Sequence, residues 1–82
     1  MSNDTLEKLL TFICGNFMVE RDEFALDQSL VDQGVIDSFG LVEISSFLKK
    51  EFDIMVDDLE MNRKNFGSVL KIVDFIERKR GA

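Results

Sequence analysis

Leu30-Val31-Asp32-Gln33-Gly34-Val35-Ile36-Asp37-Ser38-Phe39-Gly40-Leu41-Val42-Glu43 is the stretch on which the reading of this chain turns. As far as Ile36 it shows no helical period, and Gly34 supplies a residue suited to a turn. From Ser38 onward Leu41, Ile44, Leu48 and Phe52 fall on one stripe, which Val42 and Phe47 widen. That spacing predicts a helix over Ser38–Phe52. Asp37 and Ser38 are both good capping residues. The geometry sets one serine hydroxyl at the mouth of a helix, near solvent. Ser38 is then either a helix cap or a chemical handle.

Upstream, residues 19–37 have no sustained period. A connection this long is unusual in a compact domain and is often functional. Phe24, Leu26, Leu30 and Ile36 are spaced as anchors that could pin it across the rest of the fold. Before it, Leu6, Leu9, Leu10, Ile13 and Phe17 make one face of a first helix, predicted from Asp4 to Met18. Asp4 is its expected cap, with Glu7 in capping-box position. Cys14 borders that stripe. No His or basic neighbour in sequence would lower its pKa, so it reads as a small core residue rather than a reactive thiol.

Downstream, Phe52-Asp53-Ile54-Met55-Val56 lacks helical caps and reads as an extended connector. A short helical turn is expected within Asp57–Phe66. Gly67 breaks the chain, and Ser68 can cap a final helix whose core face is Val69, Ile72, Val73 and Ile76. Arg78, Lys79 and Arg80 close that helix, where positive charge suits the dipole. The chain is proline-free, so caps and glycines must set the helix ends. The expectation is all-α: one domain over residues 1–82, a small bundle of three main helices plus one short helix, with a long first loop.

The 82 residues include 45% hydrophobic side chains, enough apolar material for a small core without staples. One cysteine cannot form an internal disulfide. No leader-like start and no apolar run near ~20 residues is seen, so a cytoplasmic protein without a membrane span is expected. The net charge of −6 is uneven. Residues 20–60 carry twelve acidic and three basic side chains, whereas residues 61–82 carry six basic and two acidic. The acidic middle should repel nucleic acid and anionic lipid and attract a basic partner surface.

Chemistry by this chain alone is not expected. There is no histidine, hence neither the commonest general base nor the commonest metal ligand. A single cysteine cannot build a zinc site, and the five scattered glycines make no phosphate cradle. The carboxylates of residues 53–60 lack the spacing of a calcium loop.

The surroundings of Asp37-Ser38 bring further matches. Leu30 to Ser38 reads Leu-x-x-x-Gly-x-x-Asp-Ser, followed by Phe39. Val42-Glu43-Ile44 is a hydrophobic-Glu-hydrophobic step, Glu51-Phe52-Asp53-Ile54 closes the second helix, and Ser68-Val69 opens the last. Over nearly its whole length the chain resembles the acyl carrier protein family.

The resemblance implies that a phosphopantetheinyl transferase, using Mg²⁺ and coenzyme A, attaches 4′-phosphopantetheine to Ser38. It implies that Asp37 helps the transferase engage and that Phe39 flanks the arm. Val42, Glu43, Ser46, Lys49, Lys50, Asp57 and Asp58 would meet partners: acyl-transfer, ligase or synthase enzymes. Ile44, Phe47, Leu48, Leu59 and Ile72 could line a cleft for an acyl chain. No metal site is implied, and a monomer is expected.

The expected function is an acyl carrier holding thioesters in fatty acid, lipid or polyketide-type biosynthesis, itself a substrate of enzymes and not a catalyst. The alternatives are an aminoacyl or peptidyl carrier, such as a D-alanyl type, and an unmodified helical interaction module in which Ser38 only caps. The chain departs from the family pattern at Ser45, Ser46, Lys49 and Lys50, where a strongly acidic face is usual. That mixed charge points to a specialised member. Gly40 in the first turn suggests local mobility.

Overall fold

A computed structural model describes residues 3–81. Four helices are seen among them: α1 (Asn3–Phe17), α2 (Ser38–Phe52), α3 (Arg63–Phe66) and α4 (Val69–Gly81), with short 3₁₀ turns at Arg21–Glu23 and Asp58–Glu60. The all-helical bundle and the bounds of α2 are as the sequence predicts. α1 ends one residue sooner than expected. Met18 turns into the left-handed region at φ 56°, which no L-residue can continue as a helix. Asp4 lies inside the first turn of α1, so it is not the cap.

The apolar stripes converge on one core. Leu9, Leu10 and Ile13 from α1, Ile44 and Leu48 from α2, and Val69, Ile72, Val73, Phe75 and Ile76 from α4 are all buried. Each such side chain contributes about 1.5–3 kcal/mol relative to an exposed one. α4 packs on both α1 and α3, and the Phe66 and Phe75 rings lie 5.2 Å apart across the α3–α4 contact. Cys14 is half-buried against this core.

The long first loop is stitched down rather than loose. Phe24, Leu30 and Ile36 are buried and Leu26 is half-buried. The Leu30 amide donates to the Gly67 carbonyl at 2.9 Å, and the Leu70 amide to the Leu26 carbonyl at 3.2 Å. Gln33 clamps the loop from within: its carboxamide accepts from the Ala25 amide at 2.7 Å and donates to the Ala25 carbonyl at 3.0 Å. The Arg63 guanidinium meets the Asp32 carboxylate through two nitrogens, at 3.2 and 3.3 Å. Loop and α3–α4 junction are therefore one hydrogen-bonded unit.

After Phe52 the chain runs as a connector without regular secondary structure, as expected, but α2 does end on a cap. Asp53 adopts φ 57°, ψ 41° and its amide donates to the Leu48 and Lys49 carbonyls, which ends α2. Gly67 does break the chain, ending α3 ahead of α4, and it does so with a right-handed helical backbone on which a Cβ would collide with the Arg63 carbonyl oxygen. Glycine is required at that point by space. Ser68 does cap α4, its Oγ accepting from the Lys71 amide at 3.2 Å.

Candidate functional site

Capping at the mouth of α2 falls to Asp37 alone. Its extended backbone aims Oδ1 at the Gly40 amide, 3.0 Å away, and its own carbonyl accepts from the Leu41 amide. Ser38 is the first helical residue and does not cap, which corrects the reading of Ser38 as a cap. Its side chain is exposed, and its hydroxyl makes no hydrogen bond among the described residues. The amides of Ser38 and Phe39 also lack protein acceptors there. They form the positive end of a fifteen-residue helix, a setting that favours an anion.

The mouth is held rigid by packing that the sequence alone did not reveal. Gly40 is buried. A Cβ on it would stand 2.7 Å from Cβ of Ile36 and 3.3 Å from a ring carbon of Phe17. The loop thus lies directly on the first turn of α2, and the expected mobility at Gly40 gives way to close contact. Ile36 in turn is seated by the Val35 and Ile36 amides, both directed at the Leu30 carbonyl, with Gly34 making the turn at φ 79°.

Around Ser38 the surface is apolar and open. Phe39 is 77% exposed and Val42, one turn on, is 53% exposed. Glu43, Ser46, Lys49 and Lys50 are exposed further along α2, and Asp57 and Asp58 are exposed beside the second 3₁₀ turn. Lys49 is paired with Asp53 at 3.1 Å, so half of the unexpected positive pair is neutralised in place.

Glu60 ties that 3₁₀ turn to α4. One carboxylate oxygen meets Lys79 at 2.8 Å and the other accepts from the Asp57 amide. The Lys79 contact, then the Asp57 amide, hold its pKa below the ordinary glutamate value.

Of the five residues expected to line an acyl cleft, four meet in or against the core and Leu59 stands apart. Ile44, Leu48 and Ile72 are wholly buried in the core, Phe47 is half-buried, and Leu59 is 90% exposed on the 3₁₀ turn. An open groove lies elsewhere, between α1 and α2. Phe12 and Phe47 stack at 4.3 Å with planes 14° apart along it. Its lining includes Asn16, Val42, Glu43 and Ser46, and it encloses about 460 Å³. The Asn16 carboxamide nitrogen donates to Glu43 Oε2 across it. Phe12 and Asn16 were missed in the sequence because both lie off the core stripe of α1, and nothing local marks them as facing α2.

Among the described residues, no helix is long and apolar enough to cross a membrane, and no group of three or more His, Cys, Asp or Glu could hold a metal ion.

Comparison with known proteins points in one direction. The family described as "Phosphopantetheine attachment site" matches residues 7–76. The D-alanyl carrier protein of Streptococcus mutans serotype c is 34% identical over 79 residues, covering 96% of this chain and 99% of that protein. The D-alanyl carrier protein of Streptococcus pyogenes serotype M5 is 38% identical over 66 residues, 80% of this chain and 82% of its own. That of Streptococcus sanguinis is 39% identical over 57 residues, 70% and 72% of the two chains.

Proposed function

This chain belongs to the phosphopantetheine attachment site family, the acyl and peptidyl carrier proteins, and we propose that it is an aminoacyl carrier, with D-alanine as its cargo and Ser38 as its attachment point. As a carrier it bears 4′-phosphopantetheine covalently and is a substrate of other enzymes, not a catalyst.

The residues present fit that group. The Ser38 hydroxyl is free and exposed, and the amides of Ser38 and Phe39 are open to a phosphodiester. When bound, the arm supplies a terminal thiol on which a carboxylic acid is held as a thioester. Ser38 Oγ forms the bond to phosphorus, and the adenosine bisphosphate half of coenzyme A leaves. With no histidine in the chain, the transferase provides the base that takes the hydroxyl proton. Asp37 fixes the backbone of the first turn of α2, so Ser38 is presented from an ordered helix end and less entropy is lost on docking.

The choice of cargo rests on the near full-length likeness to D-alanyl carriers. It favours the aminoacyl alternative over fatty acid, lipid or polyketide chains. The packing agrees with a small polar cargo. Ile44, Leu48, Val69, Ile72 and Ile76 are all completely buried against their neighbours, and an ammonium group has no reason to enter such a core. Val42, Glu43, Ser46, Lys50, Asp57 and Asp58 then form the surface read by the transferase and by an amino-acid ligase, within a single carrier domain.

The test is intact mass. Wild type should gain one phosphopantetheinyl group from coenzyme A and a transferase, and then one alanyl group with D-alanine, ATP and a D-alanine ligase. Ser38→Ala should gain neither. Loading by fatty acyl groups alone would overturn the cargo assignment.

A further inference from the structure

The groove between α1 and α2 begins where the proposed attachment site ends. Val42, at its near edge, stands one helical turn beyond Ser38 on the same side of α2. From there the lining follows α2 through Ser46 and Phe47 to Lys50 and Glu51. At the helical rise, Ser38 to Glu51 spans ~20 Å. An extended phosphopantetheine is comparable in length to that run.

The chemistry of the lining matches such an arm along its length. Phe12, Val42 and Phe47 offer an apolar floor for its geminal methyl and methylene groups. The Ser46 hydroxyl makes no hydrogen bond among the described residues, and the carboxamide oxygen of Asn16 is still free to accept, so both can serve the arm's amides. Two carboxylates, Glu43 and Glu51, face the groove against one cation in the same lining, Lys50. Glu51 already holds Lys8 at 3.4 Å. Glu43 has only the neutral Asn16, and is poised to receive a positive charge.

We infer that this groove is the resting site of the loaded arm, with Glu43 receiving the α-ammonium of the amino acid. The inference rests on Ser38 as attachment point and on an amino-acid cargo. It gives Glu43 a role toward cargo as well as toward partner enzymes. It also assigns α1, through Phe12 and Asn16, a part in handling cargo.

The test uses isotope-labelled full-length protein in three forms: apo, carrying an arm ended by D-alanine through an amide in place of the thioester, and carrying the same arm N-acetylated. The amide form is made with the transferase, so no ligase is needed. NMR should show contacts from the arm's methyl groups to the Phe12 and Phe47 rings. The Asn16 and Glu43 signals should shift in the aminoacyl form and not in the N-acetylated one. Glu43→Gln, which keeps an oxygen for Asn16, should abolish that ammonium-dependent shift. Ser46→Arg, at an exposed position, should abolish the ring contacts. Shifts confined to residues 37–41 in every form would overturn the inference, as would a Glu43→Gln variant with unchanged shifts. If the amide form seats in the groove while the ligase refuses the carrier, the cargo assignment fails and the groove stands.

Discussion

The Cβ that Gly40 lacks would stand 2.7 Å from the Cβ of Ile36, so the long loop and the first turn of α2 are in contact at backbone distance. This contact sets where Asp37 lies, and hence how Ser38 is presented. Gly40→Ala sets two effects against each other. Alanine is favoured over glycine in a helix by up to ~1 kcal/mol. Overpacking of a tight site costs about 1–3 kcal/mol, and Ile36 is itself buried, so overpacking wins. Thermal melting should show a fall of several degrees. Gly15→Ala, in α1 with nothing within 4 Å of the added carbon, should rise instead.

Removing the Asp37 side chain takes away the acceptor for the Gly40 amide. Asp37→Ala should cost about 0.5–2 kcal/mol, while Asp37→Asn and Asp37→Ser stay close to wild type. Denaturant titration separates them. If the carboxylate also engages the transferase, Asp37→Asn will lose modification rate while keeping stability.

Ser38→Ala should leave stability within about 0.5 kcal/mol of wild type, because no hydrogen bond among the described residues is lost. It should block modification completely. A large drop in stability would show that the hydroxyl has a structural partner.

The Glu60–Lys79 pair predicts a particular acid response. The folded-state pKa of Glu60 lies below its unfolded value. Its contribution is therefore present above the ordinary glutamate range, and is lost as pH falls through the folded pKa. The carboxylate is solvent-accessible, so the effect is small and screened by salt. Lys79→Met should therefore lower stability slightly near neutrality, where the pair is intact, leave it little changed in acid, and so flatten the fall in stability as pH drops through the titration of Glu60. Melting temperatures across that range would reveal it.

Leu59 and Ile72, both expected in one acyl cleft, should behave oppositely. Leu59→Ala, at a position 90% exposed, should alter stability by less than about 0.5 kcal/mol. Ile72→Ala, at a wholly buried position, should cost about 2–5 kcal/mol. Chemical denaturation of both variants tests the assignment of Leu59 to the surface and Ile72 to the core.

The sequence by itself determined what is local. The stripes at Leu6 to Phe17, Leu41 to Phe52 and Val69 to Ile76 specify three helices because a 3.6-residue period needs only neighbours along the chain. The spacing of Leu30, Gly34, Asp37 and Ser38 likewise marks the candidate attachment serine. Tertiary structure decided what depends on distance across the fold. Whether Asp37 or Ser38 caps turns on which side chain the loop aims at the Gly40 amide. Gly40 reads as loose until Ile36 and Phe17 are seen against it. Leu59 and Ile72 are both apolar, and only packing separates a surface side chain from a core one. The groove of Phe12, Asn16, Glu43 and Phe47 joins residues about thirty positions apart, so it exists only once α1 and α2 lie side by side.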